Sequence, residues 1–199
     1  MSQSKWDSRL ITTLVTSPTA EPVSLTEAKD HLRVTTTDDD TYISALITVA
    51  RKYIEEANSI SVINQTWDYW LNWFPDEIEL PRSPLSSITS ITYTDTDGAE
   101  QTLATSVYTV DSDSLPGRVY EAFNQSWPTT RAIPKAIKIR FVGGYSAAAS
   151  GVPSNLTQAI LLMIGHWYES REPIVVGTIT SEIPLAAKAL MAPYKMVQI

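Results

Sequence analysis

Cysteine is absent from the 199-residue chain, histidine occurs only twice and glycine seven times. The missing thiols remove disulfides, cysteine zinc sites, iron–sulfur clusters and thiol nucleophiles together. Positive charge is scarce: 15 Lys and Arg stand against 22 Asp and Glu, a formal charge of −7. That is the wrong sign for a protein that holds nucleic acid through its phosphates. Long apolar runs are also lacking. A bilayer-spanning helix needs about 18 consecutive apolar residues, and the run at Ile160–Ile164 is far shorter. The opening MSQSKWDSRL carries no apolar stretch of the kind a secretory signal needs. The Asn-x-Ser/Thr triplets at Asn64, Asn124 and Asn155 therefore read as chance matches, and synthesis in a cytosol is expected.

What is present is unevenly placed. Residues 1–63 hold nine acids and six bases, residues 64–145 ten and six, and residues 146–199 three of each. The C-terminal quarter is neutral and rich in apolar residues, which suits a core or a protein partner. Pro18 and Pro22 bias the first 23 residues toward an extended arm. Ser24-Leu25-Thr26-Glu27 has the spacing of a capping box and opens a short helix. Asp38-Asp39-Asp40 opens a second, its carboxylates facing the positive end of the helix dipole and capping free amides. Ile43, Leu46, Ile47, Ala50, Ile54 and Ala57 recur at helical spacing, with Arg51, Lys52, Glu55 and Glu56 on the other faces.

From Thr66 the period changes to two. Trp67, Tyr69, Leu71 and Trp73 alternate with Thr66, Asp68, Trp70 and Asn72, as in a strand. Asp95-Thr96-Asp97-Gly98 is a hairpin turn. Val107–Val110, Arg118–Tyr120 and Ala136–Val142 read as further strands. Pro153 suits the first turn of a third helix, whose stripe is Leu156, Ile160, Met163, Ile164 and Trp167. Pro184 opens a short fourth helix over Leu185–Met191, and residues 174–180 are β-prone. The expected fold is α+β: a small bundle of about four helices, with an antiparallel β region of about four to six short strands inserted between the second and third long helices. Residues 1–23 form the arm, 24–63 and 146–181 the helical body, 64–145 the inserted β region and 182–199 a C-terminal segment, in one folded domain overall.

No catalytic constellation stands out. His31 and His166 lack a second ligand at helical spacing, Asp95–Gly98 lacks the later ligands of a calcium loop, and phosphate loops, Gly-x-Ser-x-Gly and HExxH are all missing. No metal or other cofactor is expected. Two alternatives keep a reactive or cationic surface: a carbohydrate-active or other hydrolase using paired carboxylates beside Trp67 or Trp70, and a DNA-contacting module that gathers Arg118, Arg131, Lys138 and Arg140 on one face.

The order of segments is more specific than any motif. SPTAEPVSLTEAKDHLRV leads into DDDTYISALITVARKYIE, INQTWDYWLNWFP, the ELPRSPLSSITSITYTDTDG hairpin and GRVYEAFNQSWPTTRAIPKAIKIRFVGGY. VPSNLTQAILLMIGHWYESRE and IPLAAKALMAPYK close it. Over roughly residues 14–195 this resembles the head–tail connector proteins of long-tailed bacteriophages, prophages and gene transfer agents, also called adaptor or head-completion proteins. The resemblance implies a non-enzymatic virion protein of the neck. It would be assembled in the bacterial host cytoplasm as a homo-oligomeric ring, typically twelvefold, docked beneath the portal protein. The ring would receive a stopper or tail-completion protein and let genomic double-stranded DNA pass without tight binding; no membrane is involved. It further implies a portal-binding C-terminus, for which Ile183, Leu185, Ala186, Ala189, Leu190, Met191 and Tyr194 are the candidates. Trp167, Tyr168, Val175, Val176 and Ile179 are the candidate subunit contacts. A tail of this kind would be removable (residues 182–199) without loss of the fold.

Overall fold

A computed structural model describes residues 11–170 and 183–196. The chain is α+β, with four α-helices and antiparallel sheets. One domain is expected from the length, yet the described residues divide into two compact units, each with its own apolar core.

The helical unit takes in residues 18–63, 145–170 and 183–196. Helix α1 (Leu25–Leu32) starts with the capping box: the Glu27 amide donates to Ser24 Oγ at 3.1 Å, and the Ser24 amide donates to Glu27 Oε2 at 2.8 Å. The bond from the Ser24 amide, and then the Ser24 hydroxyl donating to the same carboxylate oxygen at 2.7 Å, lower the Glu27 pKa. Arg33, at φ 59°, turns the chain out of the helix. Helix α2 (Asp40–Asn58) departs from expectation at its start. Asp39 occupies the cap position but makes no side-chain cap. Its Oδ2 accepts instead from the Tyr168 hydroxyl at 2.6 Å, and Asp40 pairs with Lys29. The two carboxylates tie α2 to its neighbours, a use invisible in a local motif.

The buried face of α2 holds Ile43, Leu46, Ile47, Ala50 and Ile54 as the spacing predicts, but also Arg51 and Glu55, while Ala57 is exposed. Arg51 and Glu55 are inside because each neutralises the other. Helix α3 (Ser154–Glu169) buries Leu156, Ala159, Ile160, Met163 and Ile164 against α2 and against α4 (Leu185–Met191), which contributes Ala187 and Met191. None of the helices among the described residues is long and apolar enough to cross a membrane.

The β unit takes in residues 11–17 and 64–144. It has eight strands where four to six are expected: β1 (Ile11–Thr16), β2 (Gln65–Leu71), β3 (Glu77–Glu79), β4 (Leu85–Thr94), β5 (Glu100–Thr102), β6 (Tyr108–Asp111), β7 (Arg118–Glu121) and β8 (Ile137–Gly143). Strands β3 and β5 are three residues long and mostly polar, too short to show a period. Strand β1 lies in the segment read as an arm, and precedes the helices. The five-stranded sheet runs β1-β2-β8-β4-β5 and the three-stranded sheet β3-β7-β6, all pairs antiparallel.

Register explains the burial. Trp67, Tyr69 and Leu71 stand opposite Phe141, Ile139 and Ile137, and this face carries the core. One residue out of phase, Asp68 faces Arg140 and Trp70 faces Lys138. Strand β2 ends at Leu71, so Trp73 lies beyond it and is exposed. At the β4–β5 hairpin Asp95 Oδ1 accepts from the amides of Asp97 and Ala99, and Gly98 supplies φ +90°.

Candidate interaction surfaces

Among the described residues no group of three or more His, Asp or Glu side chains could hold a metal ion. The four bases that a DNA-gripping face would need are dispersed. Arg118 lies on β7 of the smaller sheet, paired with Glu77 and Glu79. Lys138 and Arg140 lie on β8 of the larger one. The Arg140 guanidinium grips Asp68 through two hydrogen bonds of 2.7 and 2.8 Å, which raise its pKa further, and Lys138 lies over the Trp70 ring. Arg131 sits outside the strands, with its guanidinium beside Gly98. Pairing Arg118 and Arg140 with acids reduces the cationic surface that could release counterions from a duplex.

The tryptophans give no support to paired carboxylates. Trp67 is buried under Arg82, Trp70 is overlaid by Lys135 and Lys138, and Asp68 is engaged with Arg140. A cavity of about 360 Å³ opens beside Trp73, lined by Asn72, Thr130, Ala132, Ile133 and Pro134, with no acidic side chain in its wall. Its loop is pinned: the Lys135 amide donates to Asn72 Oδ1 at 2.8 Å, and the Arg131 amide to the Thr94 carbonyl at 3.0 Å.

The candidate docking residues split by helical geometry. On α4, Leu185 is 81% exposed and Ala186 and Ala189 are exposed. Met191 points the other way, into the core beside Ala187, so it is not free to meet a partner. Ile183, Leu190 and Tyr194 are half-buried against that core. The Tyr194 ring meets Tyr145 edge-on at 6.1 Å. Burial, and then the neighbouring Tyr194, push the Tyr145 hydroxyl up to about 12. The Met196 amide donates to the Asn58 carbonyl at 3.0 Å. These contacts correct the expectation of a removable tail: excising this end would open the core. Of the candidate subunit contacts, Trp167 and Tyr168 are half-buried and pack on the core, Tyr168 also against Tyr42. Val175, Val176 and Ile179 lie outside the described residues.

Two apolar surfaces escape a reading by pattern. Tyr42, Val49 and Tyr53 are exposed along α2, at spacings that place them on one side. Phe123, just past β7, is 91% exposed. A single Phe between Glu121-Ala122 and Asn124-Gln125 gives no period, and its signal is only an aromatic in a polar turn.

Apolar side chains of α2 and α4 and Phe123 are thus turned outward, while Arg118 and Arg140 are paired with acids. The profile of the phage gp6-like head-tail connector proteins matches residues 22–125, and the chain belongs to that family. Among curated proteins none matches. Solved structures do. A chain described under "Neck of empty GTA particle computed with C6 symmetry" is 23% identical, with a TM-score of 0.75 over 95% of this chain and 97% of that one. A second, from "Virion of native gene transfer agent (GTA) particle", has 23% identity and a TM-score of 0.76 over the same shares. A third, from "Neck of native GTA particle computed with C12 symmetry", has 25% identity and a TM-score of 0.72, again over 95% and 97%.

Proposed function

We propose that the chain works in a virion neck as a ring beneath the portal, joining the DNA-filled head to the stopper or tail and bordering the DNA exit path. Twelve copies are proposed, in keeping with the C12 symmetry under which a neck containing a chain of this fold was computed. The observation that carries the reading is the two-sided α4. In a head–tail connector family member, Ala187 and Met191 anchor this helix in the core while Leu185, Ala186 and Ala189 stand bare at its other side. A bare apolar side on a fixed helix is a docking surface that binds without first paying for order. The portal is its proposed partner. The acidic β unit, in which Arg118 and Arg140 are paired to acids, suits a conduit along which DNA slides.

The test is Leu185→Asp with Ala189→Glu, assayed by co-sedimentation with portal-bearing heads. Both side chains are exposed, so circular dichroism should be unchanged. Attachment should fall roughly tenfold or more, as when a central apolar anchor is lost. Undiminished attachment would remove α4 from the portal contact.

A further inference from the structure

Phe123 and the Trp73 cavity are both open apolar features of the β unit. Each is held rigidly. The turn under Phe123 is closed by the Gln125 amide donating to the Ala122 carbonyl at 3.0 Å, with Asn124 at φ 56°. On one side the Ala122 amide donates to the Val107 carbonyl at 2.9 Å. On the other the Trp127 amide donates to Glu121 Oε1 at 2.7 Å, and the Trp127 ring stacks on Phe74 at 4.7 Å. The cavity is fixed as firmly by the Lys135–Asn72 and Arg131–Thr94 bonds described above. A fully exposed phenyl ring on a rigid turn costs the isolated chain the hydration of its whole apolar surface. A rigid knob loses little freedom on insertion, which is the property of an interface anchor.

We propose that Phe123 of one copy inserts into the cavity formed by Trp73, Ala132, Ile133 and Pro134 of a second copy of this chain. The fit is chemical and spatial. The cavity walls are mostly an indole ring and aliphatic groups, with Asn72 and Thr130 as the polar members; the space of about 360 Å³ admits a phenyl ring, and no charged side chain lines it. Phe123, 91% exposed, does not fill the cavity of its own chain. Knob and hole are different surfaces of one protein, so the contact is heterologous: every copy has a free knob and a free hole, and addition continues until the assembly closes. The inference deepens the ring reading above and rests on it for closure.

The chain contains no cysteine, which makes the test clean. Gln125→Cys, on the same turn as the intact Phe123, and Ala132→Cys are made as two separate full-length variants, mixed in equal amounts at high concentration and oxidised mildly. Both positions are exposed, so melting should match the parent chain. Disulfide-linked dimers are then identified by mass spectrometry. Insertion predicts mixed dimers roughly tenfold or more above either homodimer. Mixed dimers at only twice each homodimer, the value for random collision, would overturn the contact; so would a predominance of Gln125→Cys homodimers, or no dimer at all. Electron micrographs of the parent chain separate this from the ring reading. Rings without the mixed excess defeat the knob and keep the ring. Mixed excess in open chains keeps the knob and defeats the ring.

Discussion

Replacing Arg51 by Met tests whether the charged cluster inside the helical unit carries its stability. The Arg51 and Glu55 side chains are 5% and 7% exposed and joined Nη1 to Oε2 at 2.8 Å. Arg51 also donates from Nε to Glu21 Oε2 at 2.7 Å, and Glu55 Oε1 accepts from the Val62 amide at 3.0 Å. The cluster therefore fastens both the entry of the unit at Glu21 and the exit of α2 at Val62. Burial alone would lower the Arg51 pKa, but the hydrogen bonds to Glu21 and the charge of Glu55 outweigh it and the net direction is upward. Met keeps most of the aliphatic stem, so the loss is electrostatic rather than a cavity. The variant strands a carboxylate in the interior, and breaking a buried pair this way costs about 3–5 kcal/mol. Urea denaturation followed by circular dichroism at 222 nm measures it. Adding Glu55→Gln removes the stranded charge and keeps an acceptor for Val62, so the double variant should regain about 1–2 kcal/mol. A single-variant cost below about 1 kcal/mol, typical of exposed pairs, would refute the argument. A double variant no more stable than the single one would refute it equally.

Three further substitutions probe local geometry. Ser24→Ala removes the capping box and should cost about 1 kcal/mol of thermal stability. The lowered Glu27 pKa contributes stability above the unfolded-state value, lost as pH falls through the lower folded value, so the variant's deficit should shrink on acidification below about pH 4.3. Gly144→Ala should destabilise more than Gly98→Ala. Both have positive φ, but a Cβ on Gly144 would meet the Asn64 backbone at 2.5 Å, whereas one on Gly98 would meet the movable end of Arg131. Gly98→Ala is expected to cost about 1–2 kcal/mol from backbone strain alone, and equal melting temperatures for the two would contradict the difference.

The parts of the fold legible in the sequence are those with a local cause. The Ser24–Glu27 box, the Asp95–Gly98 turn and the alternation of β8 each depend on residues within a few positions of one another, and each forms as read. What was hidden depends on partners far away in the chain. Asp39 looks like a cap until Tyr168, 129 residues on, supplies its hydroxyl. Arg51 looks solvated until Glu21 arrives from before α1. Strands β3 and β5 are recognisable only by their pairing with β7 and β4. The division into two cores was equally hidden, because strand β1 joins the later β region rather than the helices that follow it directly.

The surfaces show why composition misleads about docking. An apolar C-terminal helix was legible as apolar, but apolarity has two uses, and seven residues serve both. Successive residues turn by about 100° around a helix, so Ala187 and Met191, four apart, share the inward side, while Leu185, Ala186 and Ala189 fall outside it. A partner that grips this helix must therefore take it as a fixed ridge, because drawing Met191 out would leave a hole against α3. Phe123 makes the complementary point. It belongs to no periodic stripe, and its single side chain barely changes any local average of hydrophobicity. Only the fold reveals that nothing covers it, while the buried Val119 and the half-buried Trp127 hold the turn on which it stands.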